Sequence, residues 1–481
     1  MSVKDPSLDY EPLRRTPSKS AKEEDAEEFS FKRSTTAATV DEQWTHTKSA
    51  ATESQESVLI RQPGAEIPRV NETWIHKHGH SLSYAGIFLF TAFVFFRPYE
   101  WSPSLFWLRS AAFWIALATT IVFVLTQLGL ENTITARPRE VNLVLLLTLT
   151  GLLSIPLALE PGKAWESFLE FLKVVLIFIV MINVVRTQKR LKLLWLLVLV
   201  ATCILSINAI QDYRSGILAL RGMRIKGSIG GLFDNPNDLA LHLVTVFPIA
   251  LALLFSSRNV VTKIACVLTS LLTVGGIVVT FSRGGFLALL AASLLLLWKL
   301  ARKSRGLVVP VAAALMVAFV VFAPGGYKQR ISTTGDESSI ARFDDLKRSL
   351  YVALRHPVFG VGMDNYILFS NTNKASHNAY TQVAAEMGAA AAVFYILFII
   401  APFKGLRRVE YQTYDDPSAR RFFYMSIGLQ ASLIGYMVAS FFASVAFLWY
   451  IYYLVAYAVC LRRIYDSTLD GETAPGNPSP T

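Results

Sequence analysis

Hydrophobic and polar positions alternate along this chain in long blocks. Apolar runs near 82–97, 110–130, 141–159, 168–185, 191–210, 239–255, 260–281, 284–300, 307–323, 379–403, 421–440 and 444–461 are separated by polar connections. Each run approaches the roughly 20 residues that a helix needs to cross a bilayer. The pattern predicts an all-α polytopic membrane protein of about twelve transmembrane helices. Most connections are short, but those at about 211–238 and 324–378 far exceed the roughly two to eight residues usual between bundled helices.

The flanks read differently. Residues 1–80 are rich in Ser, Thr, Glu and Lys without a helical period, which predicts a disordered tail; 466–481 predicts a second, leaving 81–465 as the membrane domain. The first tail has no apolar h-region, so it does not read as a signal or transit segment. Its run His76-Lys77-His78-Gly79-His80 is read as a solvated juxtamembrane segment rather than a metal site, because Lys77 repels a cation and no acidic or Cys ligand is near.

Composition agrees: 53% hydrophobic, 17% charged and a mean hydropathy of +0.41 exclude a soluble domain. Cys203, Cys266 and Cys460 each sit inside an apolar run, with no spacing that indicates a disulfide framework or zinc site. Charge supplies orientation. Residues 1–80 carry a net of −3 in a chain of +11, so the membrane part carries +14. Its basic residues crowd into alternate connections: Arg137/Arg139, Arg186/Lys189/Arg190, Arg258/Lys263, Lys299/Arg302/Lys303/Arg305, Lys404/Arg407/Arg408 with Arg420/Arg421, and Arg462/Arg463. The positive-inside rule places these, and both termini, in the cytoplasm. Both long loops and the tight turn Phe281-Ser282-Arg283-Gly284-Gly285 then share the outer face, where basic residues need another reason. An anionic ligand supplies one.

In the first outer loop Arg214, Arg221, Arg224 and Lys226 precede Gly227-Ser228-Ile229-Gly230-Gly231 and Asn235-Pro236-Asn237-Asp238. Arginine forks grip phosphate oxygens, and glycines let backbone N–H groups approach an anion. Asn237 is expected to cap the span starting at Leu239, and Asn235 and Asn237 are also candidate substrate contacts. Arg283 is either an anion ligand or an arginine snorkelling to headgroups. In the second loop, residues 340–354 place Phe343, Leu346, Leu350 and Leu354 on one stripe, which predicts an amphipathic helix on the membrane surface. Arg342 and Arg348 lie on it, where both can salt-bridge Asp344, Asp345 or a neighbouring helix and Arg342 can instead face inward, and Pro357, Gly360 and Gly362 follow it. Glu170 and Lys173, one turn apart in the fourth span, are expected to pair.

Beyond the tail there are three histidines. His356 reads as structural or solvent-facing, and His242 as a packed, hydrogen-bonded helix residue. His377 stands in Ser376-His377-Asn378 as the next span begins. With Ser376 as cap, the imidazole would sit in the first helical turn, whose positive end favours the neutral base that a hydroxyl proton requires. A capping or interfacial histidine is the alternative.

Arg224 through Asn235-Pro236-Asn237-Asp238-Leu239-Ala240, Thr280-Phe281-Ser282-Arg283-Gly284-Gly285, the Arg342 helix leading into His356–Gly362, and Ser376-His377-Asn378-Ala379-Tyr380 with Glu386-Met387-Gly388 resemble the O-antigen ligase and Wzy-type polymerase superfamily over about 200–400. The resemblance implies a GT-C-like glycosyltransferase of the bacterial cytoplasmic membrane, acting on its periplasmic face without cofactor, metal or nucleotide sugar. The donor would be undecaprenyl-diphosphate-linked glycan, and the acceptor another polysaccharide unit or lipid A-core or protein. By motif position, His377 takes the base role and Arg283 and Arg342 the diphosphate, with Arg221, Arg224, Asn235, Asn237, Arg348 and Asn378 as further substrate contacts. Membrane lipids and flippase or chain-length regulator proteins are the implied partners, and nucleic acid is not among them. Family breadth, rather than any residue, favours a polymerase over a ligase. The acidic tail is outside the family pattern. A transporter of lipid-linked sugars is the reading from another class, against which stand the absence of an internal repeat and the gathering of polar residues in the outer loops.

Overall fold

The computed structural model describes residues 74–131, 133–216, 235–303, 337–370 and 375–473, together with Ile225, Phe233, Gly306 and Ala313. Among these, every regular element is helical. The main helices are α1 (Trp74–Phe96), α2 (Ala111–Glu131), α3 (Arg139–Ser154), α4 (Pro161–Val184), α5 (Gln188–Arg214), α6 (Pro236–Ser256), α7 (Val260–Val279), α8 (Arg283–Lys303), α9 (Glu337–Arg355), α10 (Ala379–Met387), α11 (Ala389–Gln412), α12 (Arg420–Ala439) and α13 (Trp449–Thr473). Single-turn helices at Pro98–Trp101 and Tyr366–Phe369 punctuate the connections. Most of the acidic tail, Arg221, Arg224 and nearly all of the expected span 307–323 lie outside the described residues.

Ten helices among the described residues, α1 to α8, α11 and α12, are long and apolar enough to cross a membrane, so the chain is a polytopic all-α membrane protein. The structure departs from the hydropathy pattern at several boundaries. The run 379–403 is not one span: Gly388, with φ +89°, separates α10 from α11. A Cβ there would fall 2.2 Å from the Val358 carbonyl oxygen, so the break is tied to a close backbone approach. The last apolar run becomes the first half of α13, whose apolar stretch ends at Arg462 and Arg463. That stretch is about 13 residues, roughly 20 Å of helix, short of the bilayer core. Helix α1 starts at Trp74, inside the expected tail, and α13 continues to Thr473 past the expected end of the membrane domain. Asp466 there pairs with Arg408, and Ser467 and Thr468 bond back to the preceding turn.

The packing is centred on α6 and α13. Helix α6 is buried nearly all round against α7, α8 and α12, and at Gly428 the backbone of α12 comes so close that a Cβ would lie 2.5 Å from the Ala252 Cβ. Small residues at such crossings let helices exploit dispersion where lipid offers no hydrophobic drive. Helix α13 packs on α4, α5, α11 and α12 through a tyrosine-rich surface. Two of its buried hydroxyls are hydrogen-bonded, Tyr453 with Thr91 at 3.0 Å and Tyr452 to the Ala446 carbonyl at 3.0 Å. His242 is a packed residue as expected, 3.0 Å from the Thr202 hydroxyl and ringed by Phe95, Phe233 and Tyr450. Cys266 and Cys460 are buried, Cys203 is partly so, and all three are free.

Several basic connections gather at one end of the bundle. Arg462 grips Glu140 at 2.9 and 3.2 Å, Arg463 donates to the Ile182 carbonyl, Arg190 donates to the Val184 carbonyl, and Lys299 meets Glu410 at 2.5 Å. Glu170 and Lys173 form their expected pair at 2.6 Å.

Candidate functional site

At the opposite end, the N-termini of α6, α8 and α10 are tied together. Proline is favoured at the first helical position, and Pro236 takes it in α6, so the cap falls on Asn235 rather than on Asn237 as the sequence suggested. The Asn235 carboxamide accepts from the Asn237 N–H at 2.9 Å. Asn237 is left to accept from the Ser282 hydroxyl at 2.9 Å, and Ser282 Oγ in turn accepts from the Gly285 N–H at 3.1 Å at the start of α8. Phe281, with φ +49°, makes the turn sharp. Arg283 thus leaves α8 at its first residue, half-buried, on a turn locked to α6.

The glycines after it set the next contact. A Cβ on Gly284 would lie 2.7 Å from the Phe442 ring, and one on Gly285 2.6 Å from the Ala240 Cβ. Phe442 belongs to the short 3₁₀ turn Ser440–Phe442 after α12, and its neighbour Phe441 offers its carbonyl to the Asn378 side-chain N–H at 3.2 Å. Asn378 also caps α10, accepting from the Tyr380 and Thr381 N–H groups at 2.9 and 3.0 Å. The cap is therefore Asn378, not Ser376. Ser376 instead closes the turn, its hydroxyl donating to the Asn378 carbonyl at 3.0 Å and lying 3.4 Å from the Ser444 hydroxyl.

His377 consequently stands one residue before the cap instead of in the first helical turn. It is half-buried, in a left-handed conformation with φ +52°. Left-handed backbone at a residue with a Cβ costs of the order of 1 kcal/mol or more and persists only where the surroundings enforce it. Here the enforcing groups are the Ser376 and Asn378 bonds on either side.

Arg342 reaches the same end by a different route. Helix α9 runs parallel to α10: Ser349 donates to Thr381 Oγ1 at 2.8 Å and, farther along both segments, the Pro357 carbonyl accepts from Ala389 at 2.7 Å, while in the turn that follows α9 the Val361 and Gly362 N–H groups meet the Ala385 and Glu386 carbonyls at 2.9 Å each. Two turns before Ser349, on the same face, Arg342 lies roughly 10 Å farther along and extends past the α10 N-terminus where His377 sits. Arg348 points elsewhere, donating to the Phe369 carbonyl at 2.8 Å. The apolar stripe expected on α9 is present but unpacked. Asp345, Ser349 and Val352 face the protein, whereas Phe343, Leu350 and Leu354 are 57%, 51% and 71% exposed.

Sequence reasoning assigned no role to two supports of this site. Phe441 and Phe442 bridge α8 to the His377 turn, and nothing in an apolar run marks them. Glu386 is buried, with one carboxylate oxygen lacking a hydrogen-bond partner among the described residues. Burial pushes its pKa up to about 8 and the Asp364 charge adds to this, while bonds from Asp364 N–H and Gln382 and the charge of Lys163 oppose it. Lys163 itself pairs with Asp364 at 3.5 Å, and Asn365 holds both the N–H and the carbonyl of Glu160, fastening the loop to the start of α4.

Of the predicted residues, the structure brings Arg283, Arg342, Asn235, Asn237, His377 and Asn378 to one end. Arg348 is engaged nearby, and Arg221 and Arg224 are outside the described residues. Two comparisons bear on this end. Residues 268–396 match the family model described as O-antigen ligase (Wzy_C), a stretch that contains Arg283, Arg342, His377 and Glu386 but begins after the first outer loop. No curated protein matches the chain.

Proposed function

With residues 268–396 belonging to the O-antigen ligase and Wzy-type superfamily, so that the chain is a membrane protein of glycan assembly, we propose that it is a metal-independent glycosyltransferase using His377 as base. The donor is a glycan on undecaprenyl diphosphate, presented at the outer face of the bacterial cytoplasmic membrane. An acceptor hydroxyl oxygen bonds to the anomeric carbon of the donor, the bond from that carbon to the diphosphate oxygen breaks with inversion, and the hydroxyl proton passes to His377. Arg283 and Arg342 hold the departing diphosphate, whose charge grows as the bond breaks. Asn378 and Asn237 act as positioning residues, since their side chains are committed to the turns carrying His377 and Arg283.

The observation that carries this reading is the tether from the Arg283 turn through Phe442 and Phe441 to the capped His377 turn. Helix α9 adds Arg342 from the other side, and its exposed stripe suits the headgroup boundary where a lipid-linked donor lies. Acceptor choice follows the broader family: another lipid-linked unit, making the chain a polymerase, with lipid A-core or protein transfer as the ligase alternative. A deletion strain that retains single repeat units identifies the polymerase, and one that accumulates uncapped lipid-linked polymer identifies the ligase.

The direct test uses membranes carrying the full chain, lipid-linked glycan and acceptor. His377→Ala should lower product formation on the order of a hundredfold or more at normal expression. Near-normal product rejects the base assignment.

A further inference from the structure

The end of the bundle opposite His377 holds a feature that glycan transfer does not use. Between the start of α5, the α6–α7 turn and the start of α12 lie two adjoining cavities of about 370 and 440 Å³. The first is lined by Lys189, Lys192, Arg258 and Arg421; the second shares Arg258 and Arg421 and adds Lys263 and Arg420. Six cationic side chains therefore face a concave space with no carboxylate among its described lining residues.

General enrichment of basic residues at one membrane face does not account for this arrangement. Three other cations at the same end have their own carboxylates: Arg462 pairs with Glu140, Lys299 with Glu410 and Arg408 with Asp466. Among the described residues none of the six cavity cations lies within ion-pair distance of a carboxylate. The neighbouring Asp416 is turned aside, accepting from the Ser418 N–H and hydroxyl at 2.7 Å each. Arg420 rests over the Tyr424 ring, 5.3 Å from its centroid, which orients the guanidinium without neutralising it. Like charges left this close without counter-charge repel one another, and an anion in the cavity relieves that repulsion.

We propose that these joined cavities bind a phosphate-bearing anion, gripped chiefly by Arg258 and Arg421, which line both. The chemistry is that of a phosphate monoanion or diester. Either an anionic phospholipid headgroup or a soluble phosphate presents it, and basic pockets between membrane helices suit the former. The position, at the far end of α6, whose start holds Asn237, makes this site separate from the transfer site and independent of its assignment.

The test uses the purified full chain in detergent, with bound phosphatidylglycerol counted by native mass spectrometry and its affinity measured by titration, against phosphatidylcholine and against inorganic phosphate. Arg258→Gln with Arg421→Gln should weaken phosphatidylglycerol or phosphate binding about thirtyfold, the loss expected of two basic side chains at an anionic headgroup. Lys404→Gln with Arg407→Gln removes the same charge outside both cavities and should leave binding unchanged. Equal loss in the two pairs, no loss in the first, or binding of phosphatidylcholine as tight as phosphatidylglycerol overturns the proposal. Saturable lipid binding that inorganic phosphate does not displace identifies the headgroup as the source; displacement by inorganic phosphate identifies a soluble anion. Should the first pair fail to fold, Lys192→Gln with Lys263→Gln, one lining each cavity, carries the same comparison.

Discussion

His377 owes its place to its neighbours. Asn378 spends its carbonyl oxygen on the first N–H groups of α10 and its amide N–H on the Phe441 carbonyl, so one side chain both starts the helix and fixes the turn before it. Replacing it with alanine should cost about 1–2 kcal/mol through the lost cap. Product formation should fall as well, because the left-handed turn at His377 is no longer held. Asn378→Ser restores a capping oxygen but does not rebuild the Phe441 bond across α10. Thermal unfolding should therefore recover most of its midpoint in the serine variant while the rate stays low; joint recovery of both would show that the Phe441 tether is immaterial. The sequence made His377 and Arg283 visible as a histidine and an arginine beside helix starts. It placed each cap two residues off, choosing Asn237 over Asn235 and Ser376 over Asn378. Asparagine and serine both cap well, and only the seating of Pro236 at the first helical position and the left-handed turn at His377 decide between them.

Among the elements, the junction of α10 and α11 shows what hydropathy cannot read. Ala385 to Ala392 is almost wholly small and apolar, so the break at Gly388 leaves no trace in a running average, although it creates the separate helix α10 on which His377 and α9 depend. The long crossing helices were legible because burial in lipid demands the same apolar length everywhere; α9 was legible from its stripe, though not which face would dock. Glu386 lies in this junction beneath the Val361–Gly362 turn. Its folded pKa of about 8 lies above the ordinary carboxyl value of 4.5, so between those values the folded state holds a proton that the unfolded chain releases. Its contribution to stability is fully present below about 4.5 and is lost as pH rises through about 8. The protein should then unfold at lower temperature at about pH 9 than at about pH 6, and Glu386→Gln should remove that part of the difference. An unchanged pH dependence in the glutamine variant would assign the loss to other groups.

At the scale of the whole molecule, the two ends of the bundle do different work, and the end away from His377 also joins distant parts of the chain. Arg462 in α13 meets Glu140 in α3 across 322 residues of sequence, with two parallel bonds to a carboxylate that is 1% exposed. Gly405 of α11 lies against the same side chain, where a Cβ would fall 2.6 Å from Arg462 Cδ. Three helices are thus registered by one guanidinium. Desolvating both charges offsets much of their attraction, so the pair as a whole adds little, but removing one partner leaves the other buried without compensation. Arg462→Ala should accordingly lower stability by about 3–5 kcal/mol. Arg462→Met together with Glu140→Gln leaves no buried charge and keeps most of the volume, so it should regain the larger part of that loss. Unfolding midpoints of the purified single and double variants separate the alternatives: a double variant no better than Arg462→Ala would mean that the guanidinium's packing against Gly405, rather than its charge, holds the three helices in register.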